Sequence, residues 1–525
     1  KIANLKISDI DVISYGSSPE LKVEQLYINS LVNDPDRINL LIQDISKIDQ
    51  IENIETLIRE KTSFKKKIEF KNHHLCHLAS TFYSSGFERS LITSYDGIGE
   101  INSALFGIGS KKGIKIAHDK NIFPHSLGLF YSAITFYLGW RHHCDEGIVM
   151  GLAPFGNPHS INKRVNKTYI DIFREIIKID KLDPLKYLIN LDWISYHKKR
   201  DTWVSDKFYE VFGQKREYGQ KITKHHKNIA SALQLRLEEV VIKQLRFLKK
   251  KYKSDYLCIA GGVGLNCSLN GKISKSKIFK KIYVQPASGD AGVAIGSAIL
   301  SSLSKKNISS FSNINYYLGH KVHKKDIKKN LELYNLDYED CGENIYNLTS
   351  NLIAQGKIIG WFQGRAEFGP RALGNRSIIC KPYPQSMRNH LNINVKFREK
   401  FRPFAPSVLE EDLYNYFEIN QKSEHMLIAC QVKKKMKKKI SATVHIDNTC
   451  RVQSVSKKTN LSFWKLLNEF KKKTGVPVLL NTSFNIKGMP IVNDAVDAIE
   501  CFMKYNIDYL VLDTFLINKN KKLNK

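Results

Sequence analysis

Apolar and polar positions alternate along this chain in a way that predicts short strands, each closed by a loop. Ser90–Tyr95 (SLITSY) is an apolar run ended by Asp96-Gly97, the pattern of a buried strand running into a turn. Ile98–Ile108 reads as a further strand, which places Asp96 at a hairpin. From Asn228 to Leu248, Ile229, Leu233, Leu235, Leu237, Val240, Val241 and Leu245 predict an amphipathic helix. Two strand–turn–helix units follow. Asp255–Ala260 runs into Gly261-Gly262-Val263-Gly264-Leu265-Asn266, and Lys281–Gln285 runs into a Gly-rich turn containing Asp290, then a helix of small residues reaching Leu300. After Ser301 comes a polar stretch of linker character, and beyond it Ile358–Phe362 and Val476–Leu480 predict two more strands. The fold class is α/β.

Composition narrows the picture. At 525 residues the chain exceeds one ordinary core, so two or three domains are expected. With 42% hydrophobic and 25% charged residues it reads as folded rather than disordered. No apolar run is long enough to span a bilayer, and no secretory leader is legible. Nine cysteines without a CxxC pair argue against a disulfide framework or a zinc ribbon, and a cytoplasmic location is expected. The formal net charge of +31 admits nucleic acid, anionic membranes or phosphorylated substrates, but the lysines are spread over the whole chain. The densest run, Lys433–Lys439, reads as an exposed loop.

Candidate chemistry gathers at a few places. Asn72 is a plausible N-cap for a helix on which His73 and His77 share a face, a spacing that suits one metal ion. His74 with His77 is an equal choice on spacing alone. Asp96 and Asp290 stand just past strand ends, where open α/β sheets place ligands, although the first is also a turn former and the second also a helix cap. Gly261, Gly262 and Asn266 sit where glycines permit a close approach to a phosphate or nucleotide. Arg365, Arg371, Arg376, Lys396, Arg398 and Arg402 lie among Gly, Pro and Asn between Gly364 and Pro406, which suggests a pocket for a polyanion. After the last predicted strand, Asn481-Thr482-Ser483-Phe484-Asn485 offers hydroxyl and amide donors.

Nine segments occur in an order that resembles one family. They include HHLCHLASTFYSS…DGIGE, EGIVMGLAPFG, GGVGLNCSLNGK, PASGDAGVAIGSA, WFQGRAEFGPRALGNRS, KFREKFRPFAP, HIDNTCRVQ and PVLLNTSFNIKGMPIV. Together they resemble the O-carbamoyltransferases of nodulation factors, cephems, aminoglycosides and novobiocin-type antibiotics, over roughly residues 70–515. The resemblance implies an actin/sugar-kinase-like (Kae1-like) N-terminal domain over 1–315, N-terminally incomplete. A linker at 316–345 and a YrdC-like α/β domain over 346–525 complete the expected layout. It implies metal ligands at His73, His77, Asp96 and Asp290, favouring His73 over His74, with Fe(II) as the divalent ion. It also implies that Lys396, Arg371, Arg398, Arg402, Arg451, Ser483 and Asn485 form carbamoyl-adenylate from carbamoyl phosphate and ATP, and that the carbamoyl group passes to a small-molecule hydroxyl, on a sugar or other metabolite. Three departures stand out. The family's opening strand-rich segment with a phosphate-facing turn is read as missing. Ile148 replaces a usual Lys, and Asn448 a usual Gly.

Two other readings compete. A threonylcarbamoyl-type tRNA-modifying enzyme would share both domain types and use the basic charge, but the DGIGE, MGLAP and EFGPRALGNRS blocks match the small-molecule branch. A catalytically impaired nucleotide-binding homologue would account for the missing opening segment and Ile148. Membrane and nucleic-acid partners are not expected, and self-association into a homodimer is left open.

Overall fold

The strand Ser90–Tyr95 is buried along its whole length and forms the centre of a five-stranded sheet. In order across the sheet, the strands are Lys281–Val284, Tyr256–Ala260, Ser90–Tyr95, Asn102–Ser110 and Gly113–Ile122. The first three run parallel and the last two antiparallel. Three parallel strands therefore end side by side, and their following loops carry Asp96, Gly261-Gly262 and Asp290. Helix His73–Phe82 lies against this sheet and helix Val293–Leu303, around Leu78, Phe82, Ile92, Leu105, Cys258 and Ile299. In this computed structural model residues 5–303 and 314–519 are described, and the chain divides into two units, Lys1–Ile314 and Asn315–Lys525.

Two parts of the first unit lie off the sheet. Strand Val12–Tyr15 pairs in parallel with Lys67–Phe70 and packs on helix Val293–Leu303, where Ser14 Oγ donates to the Ser297 carbonyl at 2.8 Å. Residues 123–255 leave the sheet after Ile122 and return at Tyr256. They include helices Leu127–Tyr137, Glu146–Leu152, Tyr169–Ile176 and Lys224–Tyr252. The last is longer than the apolar pattern suggests, since its polar ends are set by a Thr223–His226 capping box and a left-handed Lys253 at φ 52°.

In the second unit the eight-stranded sheet runs Tyr338–Asp340, Phe515–Asn518, Tyr509–Leu512, Ile359–Phe362, Arg376–Cys380, Val478–Ser483, Ala405–Leu409 and Gln453–Val455. Strand alternation feeds two cores. Ile359, Trp361 and Val511 pack with helices Ile345–Ala354 and Leu461–Thr474, while Phe362, Leu510 and Leu512 pack with Lys324–Leu333 and Ala495–Lys504.

Three sequence expectations are corrected here. Within 316–345, expected as a linker, Lys324–Leu333 is a helix that buries Ile327 and Leu331, and Tyr338–Asp340 is an edge strand. Two apolar residues four apart among lysines suffice to seat one helical face. The predicted strand from Ile98 starts only at Asn102, because residues 96–101 form a loop with its own tasks. The lysine run contains a 3-10 helix, Lys434–Ile440, anchored by buried Ile440.

Candidate functional site

The helix His73–Phe82 starts where the sequence places it: Asn72 Oδ1 accepts from the Leu75 amide at 2.9 Å. His74 then turns toward the sheet, with Nδ1 2.9 Å from Ser94 Oγ and Nε2 2.8 Å from the Asn102 carbonyl. Burial, reinforced by the neighbouring His77 and His73 against the pull of Asp96, pushes its pKa down to about 3. His73 and His77 turn the other way. Their Nε2 atoms are 3.1 Å apart, and Asp96 Oδ2 lies 3.2 Å from the first and 2.9 Å from the second. Asp290 Oδ1 completes the group from the exposed side, 3.6 Å from His73 Nε2 and 3.9 Å from His77 Nε2. All four ligand atoms lie within 4.8 Å of one another.

The donor set fits a divalent cation. Donors about 2.1 Å from an octahedral ion lie about 3.0 Å apart when adjacent, the spacing of the His73, His77 and Asp96 atoms. Two imidazoles with two carboxylates suit a borderline or harder ion. The ring of His73 is aimed by the Gly16 carbonyl, 3.2 Å from Nδ1. Since a carbonyl only accepts, Nδ1 carries that hydrogen and Nε2 is the ligand face. Burial works against a charged His73, but the carboxylates of Asp290 and Asp96 outweigh it and raise its pKa to about 10. For Asp96, burial is likewise outweighed by hydrogen bonds to His73 and His77, so the carboxyl stays well below its usual range.

Gly261 and Gly262 lie beside Asp96. The Gly262 amide donates to Asp96 Oδ1 at 3.0 Å, and the Gly97 amide donates to the same oxygen at 2.8 Å, leaving Oδ2 for the imidazoles. Gly261 has φ 84°, and a Cβ there would lie 2.2 Å from the Tyr95 carbonyl oxygen. The close approach these glycines allow is therefore to the chain itself. Asn266 caps helix Cys267–Lys275 by accepting from Leu269 N and pairs with Gln234. Ile148 is buried in helix Glu146–Leu152, and Asn448 takes the left-handed conformation at φ 65° that suits a Gly substitute.

In the second unit, buried Lys396 donates to the Ser483 carbonyl at 2.8 Å, the Asn485 carbonyl at 2.5 Å and Asn485 Oδ1 at 2.8 Å. Ser483 Oγ donates to Asn485 Oδ1 at 2.6 Å. Burial first, then Arg398 and Arg402, hold the Lys396 ammonium well below the usual lysine range. Arg398 is depressed likewise by burial and by Arg402 and Arg451, and its guanidinium stacks 4.5 Å from the Phe404 ring. The structure thus gathers Lys396, Arg398, Arg402, Arg451, Ser483 and Asn485. Arg371 lies on the loop 363–375, whose return is clamped by Glu367 Oε1 accepting from the amides of Leu373, Asn375 and Arg376.

Arg376 is a different matter. Expected in the polyanion pocket, it is fully buried and donates to the carbonyls of Gln363, Asn375, His320 and Gly364, with its guanidinium 3.6 Å from the Phe362 ring. It fastens the loop that joins the two interior strands Ile359–Phe362 and Arg376–Cys380. Arg365 similarly donates to the Gly319 carbonyl. What sequence reasoning missed is the turn Gly16-Ser17-Ser18 and Glu100, which lie against the first cluster. The DGIGE block contained Glu100, but nothing in it indicated a task.

Comparison with known proteins places the chain among transferases. The carbamoyltransferase N-terminus profile matches residues 3–299 and the carbamoyltransferase C-terminus profile residues 350–519, and the chain belongs to the carbamoyltransferase family. It is 36% identical over 530 residues to the nodulation protein NolNO of Sinorhizobium fredii, covering 98% of this chain and 73% of that protein. It is 38% identical over 456 residues to the nodulation protein NolO of Bradyrhizobium diazoefficiens, covering 85% and 79%. An uncharacterized protein of Synechocystis is 33% identical over 561 residues, covering 98% and 88%. Among solved structures, full-length HypF in its phosphate- and nucleotide-bound form gives a TM-score of 0.23 at 15% identity, covering 36% of this chain and 23% of that one.

Proposed function

We propose that this carbamoyltransferase is ATP-dependent and works in two steps. The Lys396 site joins the carbamoyl group of carbamoyl phosphate to the AMP of ATP, consuming one water and releasing phosphate and pyrophosphate. The carbamoyl group of the resulting carbamoyl-adenylate then passes to the hydroxyl of a sugar or another small metabolite, with AMP leaving. The observation that carries this reading is Lys396: a buried ammonium whose partners among the described residues are neutral oxygens, crowded by Arg398 and Arg402. Although Glu399 lies 3.7 Å from Arg402, these cations outnumber it, and such a group suits a ligand that brings several negative charges. Ser483 and Asn485 fix the ammonium's position.

His73, His77, Asp96 and Asp290 would hold a divalent ion, with Fe(II) compatible with the donor set. The chemistry such an ion would supply there is the polarisation of a carbonyl toward attack by a hydroxyl. The amides of Gly97 and Gly262 keep Asp96 oriented, and the Gly16 carbonyl keeps His73 oriented. The actin/sugar-kinase-like and YrdC-like domain assignments, with their 1–315 and 346–525 bounds, belong to this reading. So does a small-molecule acceptor, since two relatives are named as nodulation proteins.

The test is carbamoyl-phosphate-dependent exchange of labelled pyrophosphate into ATP. The unaltered chain should catalyse it, and Lys396→Ala should lower its rate at least about 100-fold, the scale expected for a lost charge-stabilising donor. Exchange that is absent from the unaltered chain, or indifferent to Lys396, rules out the adenylation step.

A further inference from the structure

The loop after strand Ser90–Tyr95 carries a carboxylate that the metal reading leaves without a role. Glu100 is 1% exposed, and its described partners are hydrogen-bond donors from two separate parts of the chain. Oε1 accepts from the Ser18 amide at 2.8 Å, from the His73 amide at 3.1 Å and from Ser17 Oγ at 3.4 Å. Oε2 accepts from Asn72 Nδ2 at 2.9 Å and from the same His73 amide at 3.2 Å. The first amides of a helix lack intrahelical partners, and a negative group there is favoured by the helix dipole. That alone would make Glu100 a helix cap.

The second set of donors changes its meaning. Ser17 and Ser18 directly follow Gly16, whose carbonyl takes the Nδ1 hydrogen of His73. Gly16 is also tightly seated, since a Cβ there would fall 2.0 Å from Val293 Cγ1. Glu100 thus ties together the backbone from which His73 projects and the turn that aims its ring. The backbone amide at the root of His73 and the turn that follows its Nδ1 partner, Gly16, are held by one carboxylate.

We propose, resting on the reading of His73, His77, Asp96 and Asp290 as a metal centre, that Glu100 is a positioning residue for that centre. By clamping the Gly16–Ser18 turn to the start of the His73 helix, it fixes the ring orientation and the tautomer that presents Nε2. Partners of this kind, which orient a ligand without touching the ion, typically govern 10–100-fold of metal affinity.

The experiment titrates the full chain, stripped of metal, with Co(II), following the visible absorption of the bound ion and its Kd. Glu100→Ala should bind Co(II) about 10–100-fold more weakly with a shifted absorption band. Glu100→Gln, which keeps the volume but turns an amide donor toward other donors, should also weaken binding. Because Glu100 acts through His73, Glu100→Ala should cause no further loss in a His73→Ala background. Affinity within about twofold of the unaltered chain, or losses that simply multiply in the double variant, would overturn the proposal. So would failure of both Glu100 variants to fold without metal, judged by thermal melting, since Glu100 would then be a residue of the fold. A failure of the unaltered chain to bind Co(II) would instead strike the metal reading itself.

Discussion

His73, His74 and His77 show how far a residue's neighbours outweigh its spacing. On the helix, His77 shares a face with either of the other two, so the sequence alone left the register open. The structure separates them by partner: Ser94 and Asn102 claim both nitrogens of His74, and Asp96 faces the other two. Those partners are 19 or more residues away, which is why no local pattern revealed the choice. His74→Ala should therefore destabilise the fold by about 1–3 kcal/mol, by taking away the described partner of Ser94 Oγ and leaving the Asn102 carbonyl with the Gly99 amide alone, while metal stoichiometry at saturation stays the same. Denaturant unfolding and metal analysis of the purified variant check both halves. Arg376 makes the same point in reverse. Its place among Gly, Pro and other cations suggested an anion ligand, whereas its surroundings make it a clamp on backbone carbonyls.

At the scale of elements, strands were the most legible feature. Ser90–Tyr95 matches its predicted bounds, and Tyr256–Ala260, Lys281–Val284 and Ile359–Phe362 each differ by a single residue. Buried strands need continuous apolar runs, and those leave a clear mark. Helix Lys324–Leu333 left almost none, because Ile327 and Leu331 are its only buried residues. Loops between strand ends and helices were legible as punctuation but not as contacts. Gly261 is an example, being the point where the strand Tyr256–Ala260 turns past its neighbour. Gly261→Ala should cost about 1–3 kcal/mol, since its φ of 84° and the Tyr95 carbonyl both oppose a side chain. It should also weaken Co(II) binding by moving the Gly262 amide off Asp96, an outcome read by the same absorption titration. Unchanged stability and affinity would show that the turn relaxes freely.

At the scale of the whole chain, the formal net charge of +31 remains the least specific feature. No helix among the described residues is long and apolar enough to cross a membrane. Scattered lysines predict attraction to any polyanion through counterion release, without a defined footprint. Fluorescence anisotropy with tRNA should show binding at low salt that is gone by about 150 mM salt. Saturable binding of one tRNA per chain at that salt would favour a tRNA-modifying enzyme instead. One feature of the first unit bears on how such a protein changes over time. The excursion 123–255 departs and rejoins the same sheet, and the four clustered ligands lie outside it, at 73, 77, 96 and 290. Its opening turn touches them, where Ser126 Oγ donates to the Asp96 carbonyl. On the proposed reading, a lineage could alter exposed parts of this insert while all four ligands of the cluster stay in place, because the insert supplies none of them.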